Sequence, residues 1–269
     1  MRRVRLAGSL PLIISASLAA QPAALQPTSK WIVNYADDLC TLERNYGGPG
    51  KPLALAFRPD IMGRAQRFFV LSNRPSAEFS GRTVHLAADG KDVPIQAKAY
   101  SMRLQDHRLS RGGFNLTEQE MGAIGNASIL SVDAGKELRF RFAVPGLAKA
   151  LVALDACRSD LLTQWGMPPA HQRAFVTSSM PVRNLGSYLK SDDFPSGAEG
   201  MSGKVRVRLT IDEAGTVSHC AVVHSSGNKL FDQASCRALQ KRARFKPAED
   251  AAGKPIWSFF VEEINWLSE

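Results

Sequence analysis

Cys220, His224 and Cys236 come nearest in this sequence to residues that could do chemistry together. On a strand, Cys220 and His224 share a face, whereas His219 points to the other. With Cys236 they would suit a metal that takes thiolate and imidazole ligands. The competing chemistry is a disulfide. The chain has four cysteines, Cys40, Cys157, Cys220 and Cys236, and an even number suits an oxidising compartment. Four cysteines allow three pairings. Two lie in the first part of the chain and two in the last, one pair in each predicted domain, so Cys40–Cys157 and Cys220–Cys236 is the economical scheme. A bridge accounts for Cys220 and Cys236 and leaves His224 an ordinary strand-end side chain, so no metal and no cofactor is expected.

The chain has no Gly-x-Ser-x-Gly elbow, His-Glu-x-x-His, phosphate loop or Cys-x-x-Cys, the patterns that place nucleophiles, zinc and phosphates. Asp155 and Asp160 stand five apart on a predicted helix and make no carboxylate pair. Lys241, Arg242, Arg244 and Lys246 surround a predicted helix end, where cations meet the negative end of the dipole. Lys204, Arg206 and Arg208 form the polar face of a predicted strand and are expected to be solvated. No catalytic residue is expected.

The elements that carry these residues are well marked. Lys204–Ile211 alternates charged and apolar residues, the period of a half-buried strand. Asp212-Glu-Ala-Gly215 turns the chain, and Thr216–His224 returns as a second strand. Ser225-Ser-Gly-Asn228 breaks before a helix over Leu230–Arg242. Arg244-Phe-Lys-Pro-Ala248 ends it, because proline cannot continue a helix. Ile256–Trp266 reads as a closing strand. Val205, Val207, Leu209 and Ile211 should face inward beside Val222, Leu230, Ala234, Leu239 and Phe245.

Four pieces of this block, Gly203–Val217, Val222–Gly227, Leu230–Ala234 and Arg244–Ala248, resemble the motifs of the TonB C-terminal domain family. The resemblance runs from Tyr188 to Trp266. It implies an antiparallel sheet packed with a helix, and a non-enzymatic module that pairs a sheet edge with a segment of an outer-membrane receptor or other envelope protein. The candidate edge is Ile256, Trp257, Ser258, Phe259, Phe260, Val261, Glu262, Glu263 and Ile264. Affinity would come from backbone hydrogen bonds and selectivity from side-chain pockets.

Upstream, short strands run from Trp31 to Ala143. Asp89-Gly90 and Asp133-Ala-Gly135 sit at hairpin turns, and Thr117-Glu-Gln-Glu120 forms a capping box. Strands so spaced predict a sandwich or rolled sheet. A long helix follows from Leu147 to Trp165, with Leu147, Leu151, Leu154, Arg158, Leu161 and Trp165 along one stripe. The fold class is α+β, with a leader at 1–24, a mainly-β domain at 27–166, a linker at 167–187 and the TonB-like domain at 188–269. The linker is far shorter than the proline-rich spacer of a TonB energy transducer.

Arg2, Arg3 and Arg5 precede a fifteen-residue apolar run, Leu6–Ala20, interrupted by Pro11. A membrane span needs ~20 apolar residues, so this reads as a cleaved export signal, with the mature chain beginning between Ala20 and Gln26. The protein is expected in the periplasm; if the segment is retained, it anchors the protein in the inner membrane facing the periplasm, the one route to membrane association. Net charge is +9, and this compartment excludes nucleic acid as a partner. A second reading places ligand binding or an enzyme activity in the N-terminal domain, with the TonB-like domain as its tether.

Overall fold

The computed structural model describes residues 22–62, 65–73, 77–104 and 110–268. The expected leader falls on 1–24, of which 1–21 lie outside the described residues. Alternating sequences build the first part of the chain. Its strands are β1 (Ile32–Tyr35), β2 (Cys40–Asn45), β3 (Leu53–Pro59), β4 (Gln66–Ser72) and β5 (Phe79–Thr83), then β6 (His85–Ala88), β7 (Lys91–Val93), β8 (Lys98–Arg103) and β9 (Ser110–Leu116). Helix α1 (Glu118–Ile124), strands β10 (Ile129–Asp133) and β11 (Arg139–Ala143), and helix α2 (Leu147–Gln164) follow.

These strands form two antiparallel layers. One has seven strands in the order β1-β2-β3-β4-β9-β8-β5, the other four in the order β11-β10-β6-β7. Between them lies one apolar core. Leu55, Phe57, Phe68 and Phe114 enter it from the larger sheet and Leu86, Leu130 and Phe142 from the smaller. Phe68 stacks on Phe114 at 4.7 Å between centroids and meets Phe57 edge-on at 5.5 Å, aromatic geometries that add to plain area burial. Of the two architectures the sequence allowed, this is the sandwich.

Local chemistry sets the turns. Asp89 (φ 49°) and Gly90 (φ 80°) both take positive φ between β6 and β7, the conformation a two-residue hairpin needs. Asp89 also accepts hydrogen bonds from the Ser128 and Ile129 amides, which fixes β10 beside the turn. Thr117 and Glu120 cap α1 reciprocally.

Helix α2 packs on β1, β2 and β3. Its buried face is Leu147, Ala150, Leu154, Cys157, Leu161 and Leu162, so the buried stripe takes in Cys157 in place of Arg158. Arg158 turns outward to Asp155. Cys157 is bonded to Cys40 of β2, with Cα atoms 6.1 Å apart.

The remaining elements are α3 (Pro169–Ala174), β12 (Phe175–Thr177), β13 (Met180–Pro181), β14 (Gly203–Ile211), β15 (Val217–His224), α4 (Lys229–Arg242), β16 (Phe245–Lys246), β17 (Ala248–Asp250), β18 (Pro255–Ile256) and β19 (Ser258–Trp266). Sheet β15-β14-β19 carries α4 on one face, with a second core of Val205, Val207, Leu209, Ile211, Phe231, Leu239, Phe245 and Trp266. Cys220 of β15 is bonded to Cys236 of α4. Val222 and Leu230, expected inward, are each 38% exposed. Val222 lies on an edge strand beside a register irregularity. The buried phase of α4 starts at Phe231 and continues through Ala234, Ser235, Ala238 and Leu239, leaving Leu230 off the face.

The Ser225-Ser-Gly227 break is held by Asp232, whose carboxylate accepts from Ser225 Oγ, Ser226 N and Ser226 Oγ. The hairpin turn meets the segment after α4: the Phe245 amide donates to the Gly215 carbonyl at 2.8 Å. Gly215 has φ 77°, and a Cβ there would lie 2.0 Å from the Phe245 carbonyl oxygen. Only glycine fits so close an approach of two backbones. Gly215→Ala should therefore destabilise the domain by at least ~1–2 kcal/mol. Urea unfolding checks this, and a neutral substitution would show that the turn relaxes freely.

Two features differ from expectation. Residues 167–187, expected as a linker, carry α3, β12 and β13, and the last two pair with β17 and β16. The Val182 amide donates to the Arg244 carbonyl. The closing strand, expected over Ile256–Trp266, is split at Trp257. Ile256 pairs with Ala248 in a separate three-stranded sheet, and β19 begins at Ser258. Trp257 is held aside: its ring stacks on His171 at 4.3 Å, and its carbonyl accepts from His171 Nε2 at 2.7 Å.

Candidate functional site

Strand β19 pairs with β14 along all nine of its residues, from Ser258↔Ile211 to Trp266↔Gly203, without a break in register. Its other side has no neighbour in the sheet. Among the described residues, no backbone hydrogen bond reaches that outer edge. The one group on an edge donor is a side chain: Glu262 Oε1 accepts from the Glu263 amide at 3.2 Å. In an antiparallel ladder, alternate residues direct their N–H groups inward and outward. The odd positions Val261, Glu263 and Asn265 thus present the outward donors.

The helix-free face of the same sheet docks on the N-terminal domain. Phe259 is buried in the N-terminal core, with Trp257 and Val261 packed against it. The Arg208 guanidinium lies 4.8 Å from both the Trp165 and Phe259 ring centroids, a cation–π arrangement. Arg206 forms an ion pair with Asp38, which is 9% exposed, and reaches Glu263 at 3.4 Å. Arg206 and Arg208, expected to be solvated, are the cationic side of this junction. Nothing on their own strand signals that role, because their partners come from elsewhere in the chain: Asp38 before β2, Trp165 after α2, and Phe259 and Glu263 on β19.

Between β19 and the outer face of the seven-stranded sheet lies an open cleft of about 810 Å³. Phe259–Glu263 and Asn265 line one wall, and Arg58, Gln66, Arg67 and Arg111 line the other. Burial, and repulsion from Arg206, Arg67 and Arg111, push the Arg58 pKa down to about 10. Burial raises that of Glu262. A charge kept from water favours its neutral form, and like charges act the same way. The arginine wall was missed at the sequence level. Its signal was present, as arginines at outward positions of neighbouring strands, but only the docked C-terminal sheet gives those positions a shared cleft.

Of the expected edge residues, Ser258 to Ile264 lie on β19, while Ile256 and Trp257 lie off it. Cys220 and Cys236 are bonded to each other, which removes the thiolates that a Cys/His metal site with His224 would need. No metal-ligand cluster occurs among the described residues. Two of the basic residues around the end of α4 are structural: Arg242 donates to the Tyr188 carbonyl and pairs with Asp193, and Arg244 donates to the Ala243 carbonyl. Among the described residues, no helix is long and apolar enough to cross a membrane.

A hairpin, a helix across one face and a long closing strand with a free outer edge make up this part of the chain. Residues 196–266 match the family model described as Gram-negative bacterial TonB protein C-terminal, so this part of the chain is a TonB C-terminal domain. No curated protein matches the chain. The family is a non-enzymatic interaction domain of the bacterial envelope, and its members' partners are proteins.

Proposed function

We propose that the whole chain is a non-enzymatic periplasmic protein that receives an extended segment of an outer-membrane receptor or other envelope protein as an added strand along β19, in TonB-dependent transport. The observation that supports this reading is the outer edge of β19, which no backbone hydrogen bond reaches among the described residues and whose residues line an open cleft. Strand addition satisfies such groups directly. Glu262 on the edge donor of Glu263 guards against indiscriminate pairing, as charges on natural edges do. Cleavage of the leader would free the protein in the periplasm, and domains near 27–166 and 188–269 would act together through residues 167–187.

Proline separates the two sides of the strand. Asn265→Pro deletes an outward donor and should abolish partner capture while the protein stays folded. Glu262→Pro removes a bond to β14 and should unfold the domain. Lys241→Ala, an exposed change on α4 away from the cleft, should bind as the unaltered protein does. Pull-down from periplasmic extract and circular dichroism check the set. A folded Asn265→Pro protein that retains full capture would remove β19 as the docking edge.

A further inference from the structure

We propose that the segment received at β19 is acidic, and that Arg58, Arg67 and Arg111 of the N-terminal sheet bind its carboxylates. This rests on the strand-addition reading and gives the N-terminal domain a role in choosing the partner.

The three arginines occupy the outward face of adjacent strands. Arg58 of β3 is directly opposite Arg67 of β4, and like charges so placed repel. Arg111 lies on β9, the next strand. Arg111 pairs with Leu71, four residues along β4 from Arg67, so Arg58 and Arg111 stand two strand spacings, ~10 Å, apart across the sheet and ~13 Å apart along it. Both reach over one ring: their guanidinium carbons lie 5.6 and 5.9 Å from the Phe69 centroid. None of the three has an ion-pair partner among the described residues. The Nε atoms of Arg58 and Arg111 are buried without a hydrogen-bond acceptor, a costly state for a charged group. Arg111 donates to Met102 Sδ, and Asp38 and Glu262 attract Arg58 and Arg67 through space, but among the described residues no carboxylate pairs directly with any of the three.

The neighbouring acids do not fill that need. Asp38 is committed to Arg206, Glu263 lies between Arg206 and Lys204 at 3.4 and 3.7 Å, and Asp60, which also lines the cleft, accepts from the Met62 amide at 3.3 Å and pairs with none of the three. Glu262 shows what an incoming group would do: its carboxylate accepts an outward N–H of β19 and is attracted by Arg67. A small anion would answer the arginines but not the strand edge. An extended peptide with carboxylates on one side answers both walls, because side chains on one face of a strand recur every ~7 Å and guanidinium–carboxylate bonds are directional.

The test is a randomised decapeptide library selected on the whole protein, followed by fluorescence anisotropy of the enriched peptides. The expected result is enrichment of Asp or Glu at alternate positions, and binding at least ~10-fold weaker when those residues become Asn or Gln. The R58Q/R111Q variant should lose this discrimination. Its thermal midpoint should be unchanged or higher, because repulsion has been relieved. Enriched peptides without acidic bias, or discrimination that survives R58Q/R111Q, would overturn the arginine wall and leave strand addition standing. Acidic peptides that bind a folded Asn265→Pro protein at full affinity would instead overturn strand addition, and this proposal as stated with it, leaving only anion capture. Binding of free phosphate or glutarate with no peptide enriched, or no enrichment at all, would sink both readings.

Discussion

Phe245→Ala should remove about 3–5 kcal/mol from the C-terminal domain, the usual cost of deleting a buried phenyl ring. Phe245 is 4% exposed, and its ring lies 5.0 Å from that of Phe260 on β19. Its backbone also joins the hairpin turn through Gly215. Phe245 thus links the segment after α4 to the turn through its backbone and to the start of the closing strand through its ring. A loss of this size is a large share of the 5–15 kcal/mol that typically holds a domain. Urea unfolding followed by the fluorescence of Trp266, which is buried against Phe231, measures it. A loss below about 1 kcal/mol would show that the ring is not part of the core.

The second large effect is expected at the Cys40–Cys157 bond. Its loop spans 117 residues, and chain-entropy arguments give a stabilisation of ~4–5 kcal/mol for closures of this length, with native strain reducing the realised value. Replacing both cysteines by alanine should lower the thermal midpoint by about 10 °C or more. The Cys220–Cys236 loop spans only 16 residues and should contribute less, ~3 kcal/mol. Differential scanning calorimetry of the two double variants tests the order. An equal or reversed ranking would show that strain or residual unfolded structure, rather than loop length, sets the values.

The C-terminal domain was legible because its signals are local. Alternation over Lys204–Ile211 specifies which side is buried, and Asp212 and Gly215 specify the turn, whatever the rest of the chain does. Exposed Leu230 shows where a local signal stops: its type suits a core, but the phase of α4 is set by Phe231 fitting beside Trp266. The break at Trp257 was not legible for a different reason. Ile256–Trp266 is a continuous β-prone run, and contacts distant in sequence, His171 from 86 residues earlier stacked on Trp257 and Ala248 paired with Ile256, pull its start out of line. Residues 167–187 have no period of their own; their strands exist because β16 and β17 offer them edges. The arginine wall is the strongest case of tertiary placement, since Arg58, Arg67 and Arg111 become a candidate site only when β19 is set across from them.

The two disulfides also bear on how the chain comes to be oxidised correctly. Each links neighbours in the list of cysteines, first to second and third to fourth. A polypeptide threaded amino-terminus first into an oxidising compartment exposes Cys40 alone, then offers it Cys157 before either later thiol has arrived. Cys220 then meets Cys236 with both earlier sulfurs already consumed. On the proposed export route, the order of emergence would select the native connectivity among the three alternatives, so that a freshly exported chain should need little thiol–disulfide reshuffling, whereas one refolded whole from the reduced state has all three to sort through.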